Sequence, residues 1–375
     1  MKRASTFWRN VRIVTDLAPH PRRWPMVARM GLAWLRVAML DQRPFRFFDV
    51  ALNYGCNLSC EHCSALPMMQ RGRPTLTHDD YRRFVDEAMD VGAMVFHFTG
   101  GEPLMRKDLF DIIRIFKPSW NMLSVQTNGL LLTDEKADRL RDAGVRMIGV
   151  SLDSADATVH DAFRRREGCH VAALAAIDRA VQRGFTCAVS VCVSHQNVRS
   201  PDLHRIIELI GERGVQGFFN LAVPIGHWAG RWDVMITPED RAYIDELIAR
   251  YPFMRTDFQS NWCEYGCPAM KEKAYLTPYG DVIPCPFIQV SYGNITNEPL
   301  RDIIKRGQSS PELEGYPPRC LASQDVHFVK SFRCYQPDCT ALPVPREEAL
   351  VTNDTPPVAC SKCAPPELHA ACPTR

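Results

Sequence analysis

Between Phe47 and Val223 the chain alternates short, densely apolar runs with longer stretches in which apolar residues recur every third or fourth position. The runs Phe47–Asn53, Met94–Phe98, Leu123–Thr127, Arg146–Leu152, Thr186–Val193 and Gly217–Val223 predict strands. His78–Val91, Thr133–Ala143, Val171–Arg183 and Asp202–Arg213 predict amphipathic helices between them. Such alternation implies parallel βα units and an α/β fold. Six units in about 180 residues are too few for a closed eight-fold barrel, so a partial six-unit barrel and an open sheet both fit.

The flanks read differently. Met26–Leu40 predicts a helix started by Pro25, with Arg29 and Arg36 on one face and a broad apolar surface opposite. It closes one end of the main domain or lies on a lipid surface or partner; it is too short to cross a bilayer. Beyond Gly230, Thr237–Arg250 predicts a capped helix, and a loop-rich, cysteine-bearing region follows. The pattern divides the chain into a basic segment 1–44, a core 45–230, a cysteine-rich region 231–342 and a Pro/Cys-rich tail 343–375. The tail is expected to be weakly ordered unless a metal ties it down.

Charge adds little, because 45 Lys+Arg oppose 43 Asp+Glu. No global field recruits nucleic acid, although the first fifty residues hold ten basic side chains and only three acidic ones. Fifteen cysteines without a secretory signal point to metal or redox chemistry in a reducing cytoplasm.

The cysteines are patterned. Cys56-Asn-Leu-Ser-Cys60-Glu-His-Cys63 sits directly after the first strand. Three thiolates on one loop converge on a metal centre with an open coordination position, whereas structural zinc wants four ligands. A zinc knuckle borrowing a distant ligand is the alternative. Thr99-Gly-Gly-Glu-Pro103 follows the second strand, Gln126-Thr-Asn-Gly129 the third, and Ser151-Leu-Asp153 the fourth. Glycines there let backbone approach a ligand, and a carboxylate accepts from an ammonium. His160-Asp-Ala-Phe-Arg164 precedes Gly168, with Arg165 and Arg166 leaving the register ambiguous. These segments lie at the C-terminal ends of successive strands, where parallel sheets bind ligands.

In these motifs the chain resembles the radical S-adenosylmethionine (SAM) enzymes over roughly 45–230, with His62 where the family usually has another aromatic. The resemblance implies a partial (β/α)6 TIM-like barrel. It implies that Cys56, Cys60 and Cys63 bind a [4Fe–4S] cluster whose fourth iron takes the amino and carboxylate groups of SAM. Gly100, Gly101 and Glu102 are then expected at the SAM amino group, and Asn128, Ser151 and Asp153 near its ribose and methionine parts. Arg164 is expected at the SAM carboxylate, and Val223–Gly226 near the adenine. The implied chemistry is reductive cleavage of SAM to methionine and a 5′-deoxyadenosyl radical, which abstracts hydrogen from substrate. A reduced flavodoxin- or ferredoxin-type protein is the implied electron donor.

Cys267 and Cys285 frame a strand–turn–strand segment with Gly280 at the turn, which brings the two thiols together. This segment resembles the SPASM/Twitch extension, which holds auxiliary [4Fe–4S] clusters. One auxiliary cluster is expected, its further ligands drawn from Cys263, Cys320, Cys334 and Cys339; zinc is again the alternative. Cys360 and Cys363 close that site or bind a metal of their own. Cys169 and Cys187 are expected to be buried structural thiols; Cys192, at a ligand-facing strand end, is a candidate hydrogen donor. His195, Asn220, His227 and Trp228 lie where substrate is expected. The substrate stays open among peptide, sugar or nucleoside, and lipid; auxiliary clusters favour oxidation or C–C or C–S bond formation. The rival reading is a non-catalytic zinc or iron–sulfur binding module.

Overall fold

The computed structural model describes residues 21–259, 265–339 and 341–351; Cys263, Cys360, Cys363 and Cys372 lie outside the described residues. The chain runs through α1 (Trp24–Leu40), β1 (Phe47–Asn53), α2 (His78–Asp90), β2 (Val95–Gly100), α3 (Leu109–Ile115), β3 (Met122–Thr127) and α4 (Asp134–Asp142). It continues through β4 (Met147–Ser151), α5 (Ala157–Arg164), α6 (Cys169–Gln182), β5 (Thr186–Val193), α7 (Pro201–Glu212), β6 (Gln216–Leu221) and α8 (Pro238–Arg250). Beyond lie β7 (Met254–Arg255), β8 (Lys273–Leu276), β9 (Val282–Ile283), β10 (Val290–Ser291), α9 (Leu300–Gln308), α10 (Leu321–Gln324), α11 (Val326–Ser331) and β11 (Val344–Pro345).

The six expected strands form one parallel sheet, lengthened at both edges to the order β7-β6-β5-β4-β3-β2-β1-β8-β9. Short β7 pairs parallel to β6, and β8 pairs parallel to β1 in the register Phe47↔Lys273 to Val50↔Leu276. The expected hairpin is present, with Tyr275 opposite Ile283, and β8 ties it to the sheet edge. The curled sheet is a partial TIM-like barrel. Lys273 on β8 reaches Asp257 just past β7 at 3.1 Å and Asp49 on β1 at 3.0 Å, so an ion pair bridges the edges that no backbone ladder joins.

Alternation along each strand separates core from lumen. Phe48, Phe96 and Phe98 point outward into an aromatic layer with Phe84 and Phe116; Phe48 meets Phe84 edge-on at 5.1 Å and Phe98 meets Phe116 at 4.8 Å. Helix α2 delivers Phe84 because Thr77 and Asp80 form a capping box and Tyr81, Phe84, Val85 and Ala88 share its buried face. The intervening positions Asp49, His97, Ser124, Gln126, Ser190 and Asn220 face the lumen.

Helix α1 closes the barrel at the N-terminal ends of the strands. Ala33 packs with Met94, flanked by Met30, Trp34 and Val37. Arg29 donates to the carbonyls of Ala93 (2.7 Å) and Trp120 (3.1 Å) and to Asn121 Oδ1 (2.6 Å). The first residues of the Pro-rich tail are built into the fold: β11 pairs with β10, and Val351 N donates to Ser331 O. Among the described residues no helix is long and apolar enough to cross a membrane.

Candidate active site

Cys56, Cys60 and Cys63 line one cavity of about 2060 Å³ that fills the barrel. Each sulfur accepts from a donor of the surrounding frame. Leu58 N reaches Cys56 Sγ at 3.4 Å, Leu66 N reaches Cys63 Sγ at 3.3 Å, and Arg164 Nη1 reaches Cys60 Sγ at 3.7 Å. Burial pushes the Cys56 thiol up to about 11 and raises Cys60, the latter opposed by the Arg164 guanidinium. Donors aimed at sulfurs, in a place that disfavours free thiolates, suit a centre that shares their charge with metal.

Gly100 and Gly101 are required by space. Gly100 has φ +130°, and a Cβ there would lie 2.1 Å from Asn53 O; one at Gly101 would lie 2.2 Å from Gly55 O. The turn is pressed against the end of β1, and both glycines face the cavity. The Glu102 side chain has a structural task in the fold. It is fully buried and accepts from Leu104 N (3.1 Å), Thr127 Oγ1 (2.9 Å) and Asn128 N (2.9 Å). Both oxygens accept from the protein, and this locks the Gly-Gly turn to the end of β3. Burial raises its pKa, and the three donors and Lys136 oppose that rise.

Asn128 Nδ2 donates to Asn57 Oδ1 at 2.7 Å and lies 3.9 Å from Cys56 Sγ, coupling β3 to the cysteine loop. Ser151 Oγ accepts from Gln126 Nε2 at 3.0 Å on the lumen wall. Asp153 accepts from Cys192 N (3.0 Å) and from Arg164 Nε (2.7 Å) and Nη2 (2.6 Å). Burial favours a protonated Asp153, but Arg164 above all, with His62, His160 and the Cys192 amide, holds its pKa below the ordinary value. The arginine register is resolved: Arg164 is the buried one, Arg165 ends α5 at φ +56°, and Arg166 binds Asn57 O from outside. The Arg164 cation thus pairs with Asp153 and approaches Cys60 while lining the cavity.

Further residues complete the walls of the site. His62 stacks on Phe163 at 4.5 Å with planes 3° apart and faces Trp228 at 5.8 Å, so it serves as an aromatic wall. Burial and the nearby Arg164 drive its pKa down to about 3, keeping the ring neutral. His227 Nδ1 lies 3.0 Å from Cys60 O, and Gly226 packs where a Cβ would lie 2.3 Å from Cys63 O, so the loop after β6 rests on the cysteine loop. Asn220, Trp228 and Cys192 line the cavity. His195 instead pairs with Asp240 at 2.7 Å. Cys169 donates to Asp161 at 3.2 Å, and Cys187 is core.

Arg255 extends from β7 into the lumen with its guanidinium 5.3 Å above the Phe218 ring. Among the described residues it makes no hydrogen bond or ion pair, and its buried Nε has no acceptor. Burial and the neighbouring Arg46 lower its pKa, offset in part by Asp257, whose carboxylate is engaged by Lys273.

The second cysteine set gathers beside the same cavity. Cys267, Cys285 and Cys320 are each pushed up to about 12, by burial first and then by a neighbouring thiolate: Cys320 acts on Cys267, Cys267 on Cys285, and Cys285 on Cys320. Cys334 is buried nearby, influenced by Cys339 and Cys285, and Tyr335 stands among all four thiols with its hydroxyl donating to Phe287 O at 2.9 Å. Pro268, Pro286 and Phe287, next to these cysteines in sequence, line the cavity that holds Cys60. Among the described residues no three His, Cys, Asp or Glu side chains are grouped as a single metal ion requires.

The sequence profile of the Radical SAM superfamily matches residues 50–210, which carry all of the first constellation. The chain belongs to the radical SAM superfamily. The SPASM iron–sulfur cluster-binding domain matches residues 267–321 of this radical SAM enzyme, spanning Cys267, Cys285 and Cys320. The AdoMet-dependent heme synthase of Methanosarcina barkeri is 29% identical over 285 residues, 68% of this chain and 81% of that protein. The mycofactocin maturase MftC of Mycolicibacterium smegmatis is 28% identical over 250 residues, 63% of each chain. Streptococcus suis SuiB bound to its precursor peptide SuiA superposes with a TM-score of 0.56 at 14% identity, covering 74% of this chain and 69% of that one. Native anSMEcpe with bound AdoMet gives 0.53 at 16% identity, covering 69% and 80%. These last likenesses establish the fold. The enzyme is a radical SAM catalyst using a [4Fe–4S] cluster and SAM, with an auxiliary iron–sulfur centre.

Proposed function

We propose that this radical SAM enzyme performs a two-electron oxidation of a carboxylate-bearing substrate held in the barrel lumen. The observation that carries the reading is that one cavity joins Cys56, Cys60 and Cys63 to the residues flanking Cys267 and Cys285. In this reading Cys56, Cys60 and Cys63 hold the SAM cluster, and Cys267, Cys285 and Cys320 hold the auxiliary one, with Cys334 the nearest further thiol. When bound, these groups supply the electron that splits SAM, the radical that takes a substrate hydrogen, and an acceptor for the second electron.

The chain's own residues bind, orient and exclude water. Gly100 and Gly101 offer backbone against the SAM methionine part, held in place by the inward-turned Glu102. Asn128 and Ser151 present polar groups along the same wall. Asp153 and Arg164 set the loop ends around Cys60 and Cys192, and His62, Phe163 and Trp228 form a dry aromatic side. Arg255 offers a fork of unpaired donors, which matches a carboxylate.

Several curated relatives are heme-pathway enzymes, and one is an Fe-coproporphyrin III synthase, so iron coproporphyrin III is the first probe. The expected result is a Soret shift on binding to the reconstituted enzyme that Arg255→Gln abolishes and the tetramethyl ester does not produce. Equal shifts by acid and ester remove the carboxylate reading. No shift with the porphyrin, but SAM-dependent modification of a peptide, moves the substrate to the peptide class; SuiB and PqqA peptide cyclase are named for peptide substrates.

A further inference from the structure

Helix α1 has two apolar sides, and only one is used by the barrel. Met26 and Ala33 are buried, and Met30 and Trp34 face the cavity. On the opposite side Leu32 (51% exposed), Leu35 (56%) and Met39 (72%) stand in water. Ala28, Leu32, Leu35 and Met39 are spaced four, three and four residues apart, which makes one continuous helical stripe. Five of the twelve large apolar side chains exposed among the described residues belong to this single helix. A sixth, Trp120, is 45% exposed beside it, because Arg29 of α1 holds the Trp120 carbonyl. Scattered exposed apolar residues need no explanation; a continuous stripe does.

Charge selects the occupant. The first fifty residues carry ten basic and three acidic side chains, whereas the rest of the chain has an acidic excess. Arg36 is exposed on α1 next to the stripe, and Arg23 precedes the helix. The nearest acid, Asp41 at the C-terminal end, is engaged by Arg43 at 3.0 Å. An apolar stripe bordered by arginine and preceded by a basic arm is complementary to the boundary between acyl chains and anionic headgroups.

We propose that α1 docks this enzyme on an anionic membrane surface, with Leu32, Leu35 and Met39 inserted at the headgroup level and Trp120 alongside. Because Met30 and Trp34 on the other side of the helix border the lumen, docking sets the floor of the catalytic cavity against the bilayer. The surface stands apart from the cysteine and SAM constellations, so it is testable separately from the catalytic reading.

The test is flotation of the full-length, anaerobically reconstituted protein with phosphatidylcholine vesicles, with and without one quarter phosphatidylglycerol, in low and high salt. The wild type is expected to float with the anionic vesicles, less in high salt, and poorly with phosphatidylcholine alone. L32E/L35E/M39E is expected to lower the floated fraction at least about tenfold while iron content and SAM cleavage stay at wild-type levels. Those two readouts separate lost docking from misfolding, and single L35E, expected to show the same direction, serves if the triple variant fails to fold. Wild-type protein that stays with neither vesicle overturns the proposal. So does a wild type that sediments as a dimer without lipid while the variant is monomeric, since the stripe then belongs to a second copy.

Discussion

Arg164 and Asp153 form a pair whose removal can be worked through from geometry. The guanidinium meets Asp153 Oδ2 at 2.7 Å through Nε and 2.6 Å through Nη2, with both side chains at most a tenth exposed. At an effective dielectric near 20 the gross attraction is about 6 kcal/mol, much of it offset by desolvation of both ions. Arg164→Met leaves the Asp153 carboxylate buried without its main partner and is expected to cost about 3–5 kcal/mol. Asp153→Asn keeps an acceptor for the Cys192 amide but leaves the buried guanidinium without its counter-charge, a similar loss. The double variant removes both charges, so the two penalties must not add; a coupling energy of about 2–3 kcal/mol is expected. Arg164→Lys keeps the charge without the fork and falls between. Anaerobic equilibrium urea denaturation of the four proteins gives the cycle. Additive penalties, with coupling under about 0.5 kcal/mol, would refute the claim that this pair fixes the Cys60 loop to β4.

Three further outcomes follow from the site. Gly100→Ala and Gly101→Ala place a Cβ within 2.2 Å of carbonyl oxygens and are expected to cost about 3 kcal/mol or more and to abolish SAM binding by calorimetry, whereas Gly55→Ala, with nothing within 4 Å, is tolerated. Arg255→Met removes an unpaired enclosed cation and is expected to stabilise the substrate-free enzyme by about 1–3 kcal/mol in urea denaturation while leaving SAM cleavage intact; destabilisation would mean that the guanidinium is paired after all. The C267A/C285A/C320A triple is expected to lose about four irons and keep SAM cleavage, and C56A/C60A/C63A to lose a like number and all cleavage; loss of every iron in the first triple contradicts separate sites.

Elements with strong local periodicity were legible in the chain: six strands, their helices and the hairpin around Gly280 all stand where apolar spacing puts them. Strand β7, with two residues, had no such signal, and the pairing of hairpin strand β8 with β1 is decided by tertiary geometry. The cysteine loop and the Gly-Gly turn could be recognised because their chemistry is packed into a few adjacent residues. Glu102 belongs to that turn, but only the fold reveals that Leu104, Thr127 and Asn128 surround its oxygens. Likewise His62, Phe163 and Trp228 lie up to 166 positions apart, and their stacking depends on the cysteine loop, helix α5 and the segment after β6 coming together. Cys320 was one guess among four; proximity to Cys285 and Cys267 in the folded chain distinguishes it.

The most direct measurement of the central claim is product analysis of the full chain, reconstituted without oxygen, reduced with dithionite and supplied with SAM. The account predicts 5′-deoxyadenosine and methionine in equal amounts, absent when Cys60 is replaced by alanine. Protein with its full complement of iron that leaves SAM intact, or an equally active Cys60→Ala variant, would contradict it.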